Sequence, residues 1–210
     1  MIKKVMSKKE LEIILSQLLD FANPKVNLEQ YLTDAGIAAD ALWNAYQNQH
    51  IKGKVIADLG CGPGIFGLGA LILGAKKVHF VDMDKDVLNI TKENKKIVEK
   101  IVGRKIYCVF HNINVKDFQE KVGVVLQNPP FGVKKTHHDK IFLVKAMDLS
   151  NIVYSFHKLS TKDFVDKVVN DNGFKVKHFY TYEFPIKKQF WFHMSKVKNI
   201  DVGCWCIVKS

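Results

Sequence analysis

Proline is scarce in this 210-residue sequence, five in all, and two of the five stand side by side. Nothing resembles a Pro/Gly/Ser linker, so a split into two domains is not expected and one sizeable core is. Repeats and low-complexity tracts are missing as well, and no apolar run approaches the length needed to cross a bilayer. The opening MIKKVMSKKELEIILSQLL is basic, yet it runs into an amphipathic pattern without a small-residue cleavage site, so a cytoplasmic protein is expected. Cysteine is limited to Cys61, Cys108, Cys204 and Cys206. Only the last two are close, and a spacing of two on a strand puts both thiols on one face, unlike a metal knuckle. Buried free thiols in a reducing compartment are expected, and no metal. Acid is also in deficit: 21 Asp and Glu against 32 Lys and Arg leave a net charge of +11, which favours a polyanionic partner such as nucleic acid.

What is present is an α/β pattern. Leu11, Ile14, Leu15, Leu18 and Leu19 recur at helical spacing, and a second helical pattern covers 34–49. Runs of strand composition follow at 54–59, 78–83, 106–110, 122–127, 152–157, 174–183 and 202–208. Helical stretches are expected between the first five, those at 85–99 and 139–148 being the clearest. The alternation predicts a mostly parallel seven-stranded sheet with helices on both faces, the last two strands antiparallel to each other. One domain results, with residues 1–50 as a helical N-terminal part and 51–210 as the core.

VIADLGCGPGIFGLG follows the first strand and opens a helix, the place where a doubly wound sheet holds a nucleotide. Gly62, Gly64 and Gly67 also fit the dinucleotide fingerprint, and glycines here can serve close packing alone. Asp82, ending the second strand, can accept from ribose hydroxyls in either an NAD or an S-adenosylmethionine site. Asp58 suits the cationic methionyl end of S-adenosylmethionine and would repel a pyrophosphate, or else it caps nearby backbone N–H groups. At the end of the fourth strand stands QNPPFGVK, with Asn128, Pro129, Pro130 and Phe131. Each proline fixes its own φ and extends the residue before it, so the corner is rigid.

DLGCGPG with VDMD downstream resembles the first two motifs of class I S-adenosylmethionine-dependent methyltransferases, and NPPF resembles that superfamily's amino-group methylation motif. More closely, LEQY near residue 30, NPPFG, YSFHK at 154–158 and a late FH among lysines resemble the methyltransferase-like protein five group, over most of the chain from residue 28 onward. Its members methylate adenine N6 in small-subunit ribosomal RNA. The resemblance implies a Rossmann-like class I methyltransferase fold and S-adenosylmethionine as cofactor. It also implies that Gln30 and Thr33 lie over the cofactor, that Gly60, Gly62, Pro63, Gly64 and Ile65 line its methionyl end with Asp58, and that Asp82 holds the ribose. Asn112 and Ile113 would meet the adenine ring. Two departures stand out: Leu32 where the family has proline, and Asn112 where it has aspartate. The group's small activator subunit, which adds a strand at a sheet edge, would dock on 105–110.

Chemically, an exocyclic base amine is a poor nucleophile because its lone pair is delocalised. Asn128 Oδ1 and the Pro129 carbonyl can each accept one N–H and aim that lone pair, with Asn128 also touching the cofactor and Phe131 stacking on the base. Methylation of guanine N2 or of a glutamine amide, and a non-catalytic RNA-binding protein, remain alternatives. His157 and His193 belong to no ligand-spaced cluster and are expected at the surface or against substrate. In 187–198, Phe190, Trp191 and Phe192 lie between lysines, a composition suited to gripping single-stranded RNA.

Overall fold

A computed structural model describes residues 6–22, 24–25, 30, 32–131, 138–187 and 197–210. The chain runs through α1 (Lys8–Leu15) and α2 (Ala35–Gln47), then β1 (Val55–Leu59), α3 (Ile65–Ile72), β2 (Lys77–Asp82), α4 (Lys85–Val102), β3 (Cys108–Asn112) and β4 (Val124–Gln127). It continues through α5 (His138–Leu149), β5 (Ile152–Lys158), α6 (Lys162–Asp171), β6 (Phe174–Lys187) and β7 (Val197–Lys209).

Local chemistry sets the helix starts. Ser7 and Glu10 form a reciprocal capping box on α1, Asp34 accepts from the N–H groups of Gly36 and Ile37 at the head of α2, and Asp84 caps α4. α1 ends sooner than the leucine pattern implies. Leu19 is exposed, and its N–H goes to Asn94 Oδ1 at 2.7 Å instead of continuing the helix.

The strands form one sheet in the order β3-β2-β1-β4-β5-β7-β6. Neighbours from β3 through β5 are parallel, and β7 is antiparallel to both β5 and β6, so the α/β fold is as expected. Alternating side chains build two cores. Ile56, Val78, Phe80, Val124, Leu126 and Phe156 face the helices α1 to α4, while Ala57, Val81, Val125, Val153 and Trp205 face α5 and α6.

Two elements differ from the sequence reading. No α-helix separates β3 from β4; a single 3-10 turn, Val115–Asp117, does so. Buried Phe118 covers the sheet there, its ring edge-on to His111, so one aromatic replaces a helix face. Helix α6 is an addition, because its buried residues are only Val165, Val168 and Val169 in an otherwise polar segment. The last two strands are longer than read, pairing from Phe174↔Lys209 to Lys187↔Val197 with one irregularity between Val176 and His178.

Candidate cofactor and substrate site

The glycine loop lies where the C-terminal ends of β1 and β2 meet α3. Gly60 and Cys61 donate their N–H groups to Val81 O at 2.8 and 3.1 Å, which folds the loop across the tip of β2. Gly60 has φ +64°, and a Cβ there would come within 3.0 Å of the Phe142 ring. Both the turn and the close approach therefore require glycine. Gly67 is different: a Cβ on it would sit 2.3 Å from Phe80, so it serves helix-to-sheet packing and is no part of a dinucleotide fingerprint. Gly64 (φ +90°) opens α3 without a side-chain cap, followed by buried Ile65. Pro63 has its carbonyl held by Asn94.

Three carboxylates converge on this loop. Asp82 accepts from the Gly62 N–H at 3.1 Å through Oδ2 and from the Asp84 N–H at 2.9 Å through Oδ1. Burial raises its pKa above the usual range, and those N–H groups oppose the rise. Asp84 is raised by burial too, but Lys25, Gln30 and the Asp86 N–H more than compensate, and its net shift is downward. Asp58 is buried, and its Oδ2 accepts from the Gly67 N–H at 2.8 Å. Burial pushes it up to about 8, against the Gly67 hydrogen bond and with help from the charge of Asp82. The capping role weighed for Asp58 from sequence is thus present, inside the first turn of α3. Asp84 is already paired with Lys25, but Asp82 and Asp58, whose charged forms a bound cation would favour, suit S-adenosylmethionine better than the pyrophosphate of NAD.

The remaining cofactor candidates gather around the same crevice. Gln30 donates from Nε2 to Asp84 Oδ2 at 2.9 Å and accepts from the Lys25 N–H at 2.8 Å. Lys25 Nζ pairs with the same Asp84 oxygen at 2.7 Å. Asn112, at the end of β3, donates to the carbonyls of Asp82 and Met83 at 3.2 and 3.0 Å. Both are donations that an aspartate could not make, while the side-chain oxygen is an acceptor that an aspartate would also offer. Ile113 is half-buried beside it, and Met83 is 58% exposed next to Asp82.

At the end of β4, Asn128 donates from Nδ2 to Thr33 Oγ1 at 3.0 Å. Its Oδ1 is buried with no hydrogen-bond partner among the described residues. Such an atom costs about 1–3 kcal/mol unless something else pairs with it. Thr33 is itself buried, so it sits against Asn128 and links the residues before α2 to the NPPF corner. Pro129 is buried and Pro130 half-buried. Phe131 is 9% exposed, edge-on to Phe184 with centroids 6.4 Å apart, and Lys158 Nζ lies over the ring.

Sequence reasoning missed Thr91 and Asn94. Thr91 donates to Gly62 O at 2.7 Å, and Asn94 joins Pro63 O, Leu19 O and Leu19 N–H, tying the glycine loop to the segment after α1. Both lie on the face of α4 that carries Val87, Leu88 and Val98, so two polar residues on an apolar helical stripe were the available signal. His157 corrects an expectation. It is buried, with Nε2 2.7 Å from Ser155 Oγ, because β5 is covered on both faces and its sequence shows no alternation to reveal that. His193, Phe190, Trp191, Phe192, Leu28, Glu29 and Tyr31 lie outside the described residues. The cysteines are free, and no metal-binding cluster occurs among the described residues.

A glycine loop between β1 and α3, an acid at the tip of β2 and NPPF at the tip of β4, on a sheet with an antiparallel seventh strand, define a class I methyltransferase. Comparisons with known proteins agree. The family model of the ribosomal protein L11 methyltransferases (PrmA) matches residues 40–128. A protein of Methanocaldococcus jannaschii with no assigned function is 39% identical over 98% of this chain and 95% of its own. The rRNA N(6)-adenosine-methyltransferase METTL5 of Danio rerio is 34% identical over 94% of this chain and 96% of its own. The crystal structure of a candidate RNA methyltransferase from Pyrococcus horikoshii superposes with a TM-score of 0.87 at 41% identity, covering 97% of this chain and 98% of that one. The chain belongs to the METTL5 family of methyltransferases.

Proposed function

We propose that this protein methylates the N6 amino group of an adenine in small-subunit ribosomal RNA, using S-adenosylmethionine. The observation that carries the reading is Asn128 Oδ1 at the end of β4, a buried acceptor without a partner among the described residues. An exocyclic amine supplies the missing donor. Asn128 Oδ1 takes one N–H and the Pro129 carbonyl the other, and the two together aim the nitrogen lone pair. S-adenosylmethionine supplies an electrophilic methyl group on a sulfonium, whose positive charge the carboxylates around the glycine loop favour. Once the C–N bond has formed, the nitrogen is strongly acidic and its surplus proton leaves to water. No titrating base is needed, and His157 cannot act as one, since burial holds its pKa down at about 3.

In this reading Asp82 receives the ribose hydroxyls, Gly60 to Ile65 border the methionyl end, Gln30 lies over the cofactor, and Asn112 with Ile113 and Met83 borders the adenine. The net charge of +11 supports an RNA substrate. No helix among the described residues is long and apolar enough to cross a membrane; a cytoplasmic location beside ribosomal subunits suits an enzyme with this substrate. The edge position of β3 supports an activator subunit that adds a strand there.

Incubation with labelled S-adenosylmethionine and small-subunit rRNA, followed by nucleoside analysis, tests the reading. N6-methyladenosine is expected; N2-methylguanosine, or label on protein glutamine, would replace it with an alternative. Asn128→Ala should abolish transfer while cofactor binding persists. Asp82→Ala should weaken cofactor binding by tenfold or more, on the scale of one charged hydrogen bond.

A further inference from the structure

We propose that Lys158 holds a phosphate of the target nucleotide, and that in the free enzyme its ammonium occupies the place on Phe131 into which the target base stacks. The proposal rests on the adenine reading above and adds to it the feature that selects a nucleotide within a polyanionic chain.

Lys158 closes β5, and its carbonyl accepts from Thr161 Oγ1 at 2.8 Å, so its backbone is anchored. Its Nζ lies 5.8 Å from the centre of the Phe131 ring. Other lysines in the neighbourhood and beyond are paired with carboxylates: Lys162 with Asp166, Lys167 with Asp171, Lys121 with Asp148. Lys158 has no carboxylate within ion-pair distance among the described residues, an arrangement it shares with Lys92 over Phe110 but places at the NPPF corner. Among the described residues, this ammonium is held at the NPPF corner by the aromatic face of Phe131.

An ammonium over a largely buried ring such as Phe131 and a base stacked on it are of similar strength, so an arriving base competes with the lysine for the same face. Displacement would leave the charge unpaired unless the ligand brings an anion with it. A nucleotide does so, because its phosphate is covalently tied to the base, and a lysine stem is about as long as the span from base to phosphate. A glutamine side chain brings neither a stacking face nor an anion, and a free base brings only the first. Phe131 and Lys158 thus read two properties of one nucleotide, and the free-state contact between them blocks ligands that carry only one.

The test compares Lys158→Met and Lys158→Arg with the unmodified enzyme in methylation of small-subunit rRNA across a range of salt concentrations. Methionine keeps the stem length and its contact with the ring while removing the charge. For K158M the KM for RNA should rise about tenfold with little change in kcat, a decade being the scale of one charge-assisted contact. Its log–log salt slope should flatten by about 0.7, the contribution of one phosphate on a single strand. K158R should stay close to the unmodified enzyme. S-adenosylmethionine affinity and melting temperature should be the same in all three. A K158M enzyme with unchanged KM and salt slope overturns the proposal, as does a loss shared equally by K158M and K158R or accompanied by a fall in melting temperature. If the unmodified enzyme transfers no methyl group to RNA adenine, the underlying reading fails and the proposal with it; active enzyme with an indifferent K158M sinks the proposal alone.

Discussion

Asn128 gives its amide N–H to Thr33 Oγ1 at 3.0 Å, and its Oδ1 stays buried with no hydrogen-bond partner among the described residues. Ninety-five residues of sequence separate the partners. Thr33→Val keeps the shape and removes the acceptor, freeing the amide to rotate. The expected result is a threefold to tenfold fall in kcat, the scale of one neutral hydrogen bond, with the smaller change in cofactor affinity. A T33V enzyme that loses cofactor binding while kcat under saturating cofactor is normal would mean that Thr33 serves the cofactor and not the Asn128 amide.

Asp58 makes both stability and cofactor binding depend on pH. Its pKa of about 8 in the folded protein exceeds the ordinary carboxylate value near 4, so between those values the folded state holds a proton that the unfolded chain releases. Stability contributed by this group is fully present below about 4 and is lost as pH rises towards about 8. Asp58→Asn, whose side-chain oxygen can still accept from Gly67, should melt at a higher temperature than the parent at pH 8 and at the same temperature near pH 4. A cation bound beside Asp58 favours its charged form, so S-adenosylmethionine binding at pH 7 should release a proton. Calorimetry in buffers of different ionisation enthalpy reads that proton; identical heats in all buffers would rule the coupling out.

Gln127, Ser155 and His157 form a buried polar chain across β4 and β5. Gln127 Nε2 donates to Ser155 Oγ at 2.9 Å, and Ser155 Oγ lies 2.7 Å from His157 Nε2. Which of the two donates in that second bond is set by the imidazole tautomer. Ser155→Ala strands a donor on Gln127 and the Nε2 of His157, and should cost about 2–4 kcal/mol in urea unfolding. Burial holds His157 at about 3, below its unfolded value of 6.5, so its contribution is complete above 6.5 and is lost as pH falls from there. His157→Gln should flatten the acid limb of the stability profile, and an unaltered limb would assign acid sensitivity elsewhere.

The β3 edge yields a prediction about assembly. Val78 N–H donates to Tyr107 O at 3.2 Å, so in a parallel ladder Tyr107 and Val109 turn their backbone groups to β2 while Cys108 and Phe110 turn theirs outward. Tyr107 is 68% exposed just before the strand. The chain expressed alone should be poorly soluble or weakly active, and co-expression with a small activator subunit should improve it. Cys108→Pro deletes an outward N–H without touching the β2 ladder and should abolish that benefit. A monodisperse monomer with full activity would count against a partner at this edge.

The sequence by itself placed the two chemical corners of the molecule. Glycines at 60, 62 and 64 and prolines at 129 and 130 act through their own backbone torsions, which need no distant partner, and the loop and corner lie where those residue types require. The antiparallel last strands were legible for a similar reason, since too little chain separates them for a helical crossover. Tertiary structure alone decided the rest. It brought Thr33 to Asn128, set Asn94 between the end of α1 and the glycine loop, and closed Asp58 over by the first turn of α3. It also buried His157 and laid Lys158 over Phe131. Each of these depends on which faces of distant elements pack together, and a residue's chemistry states what it can bond without stating which face its neighbour will present.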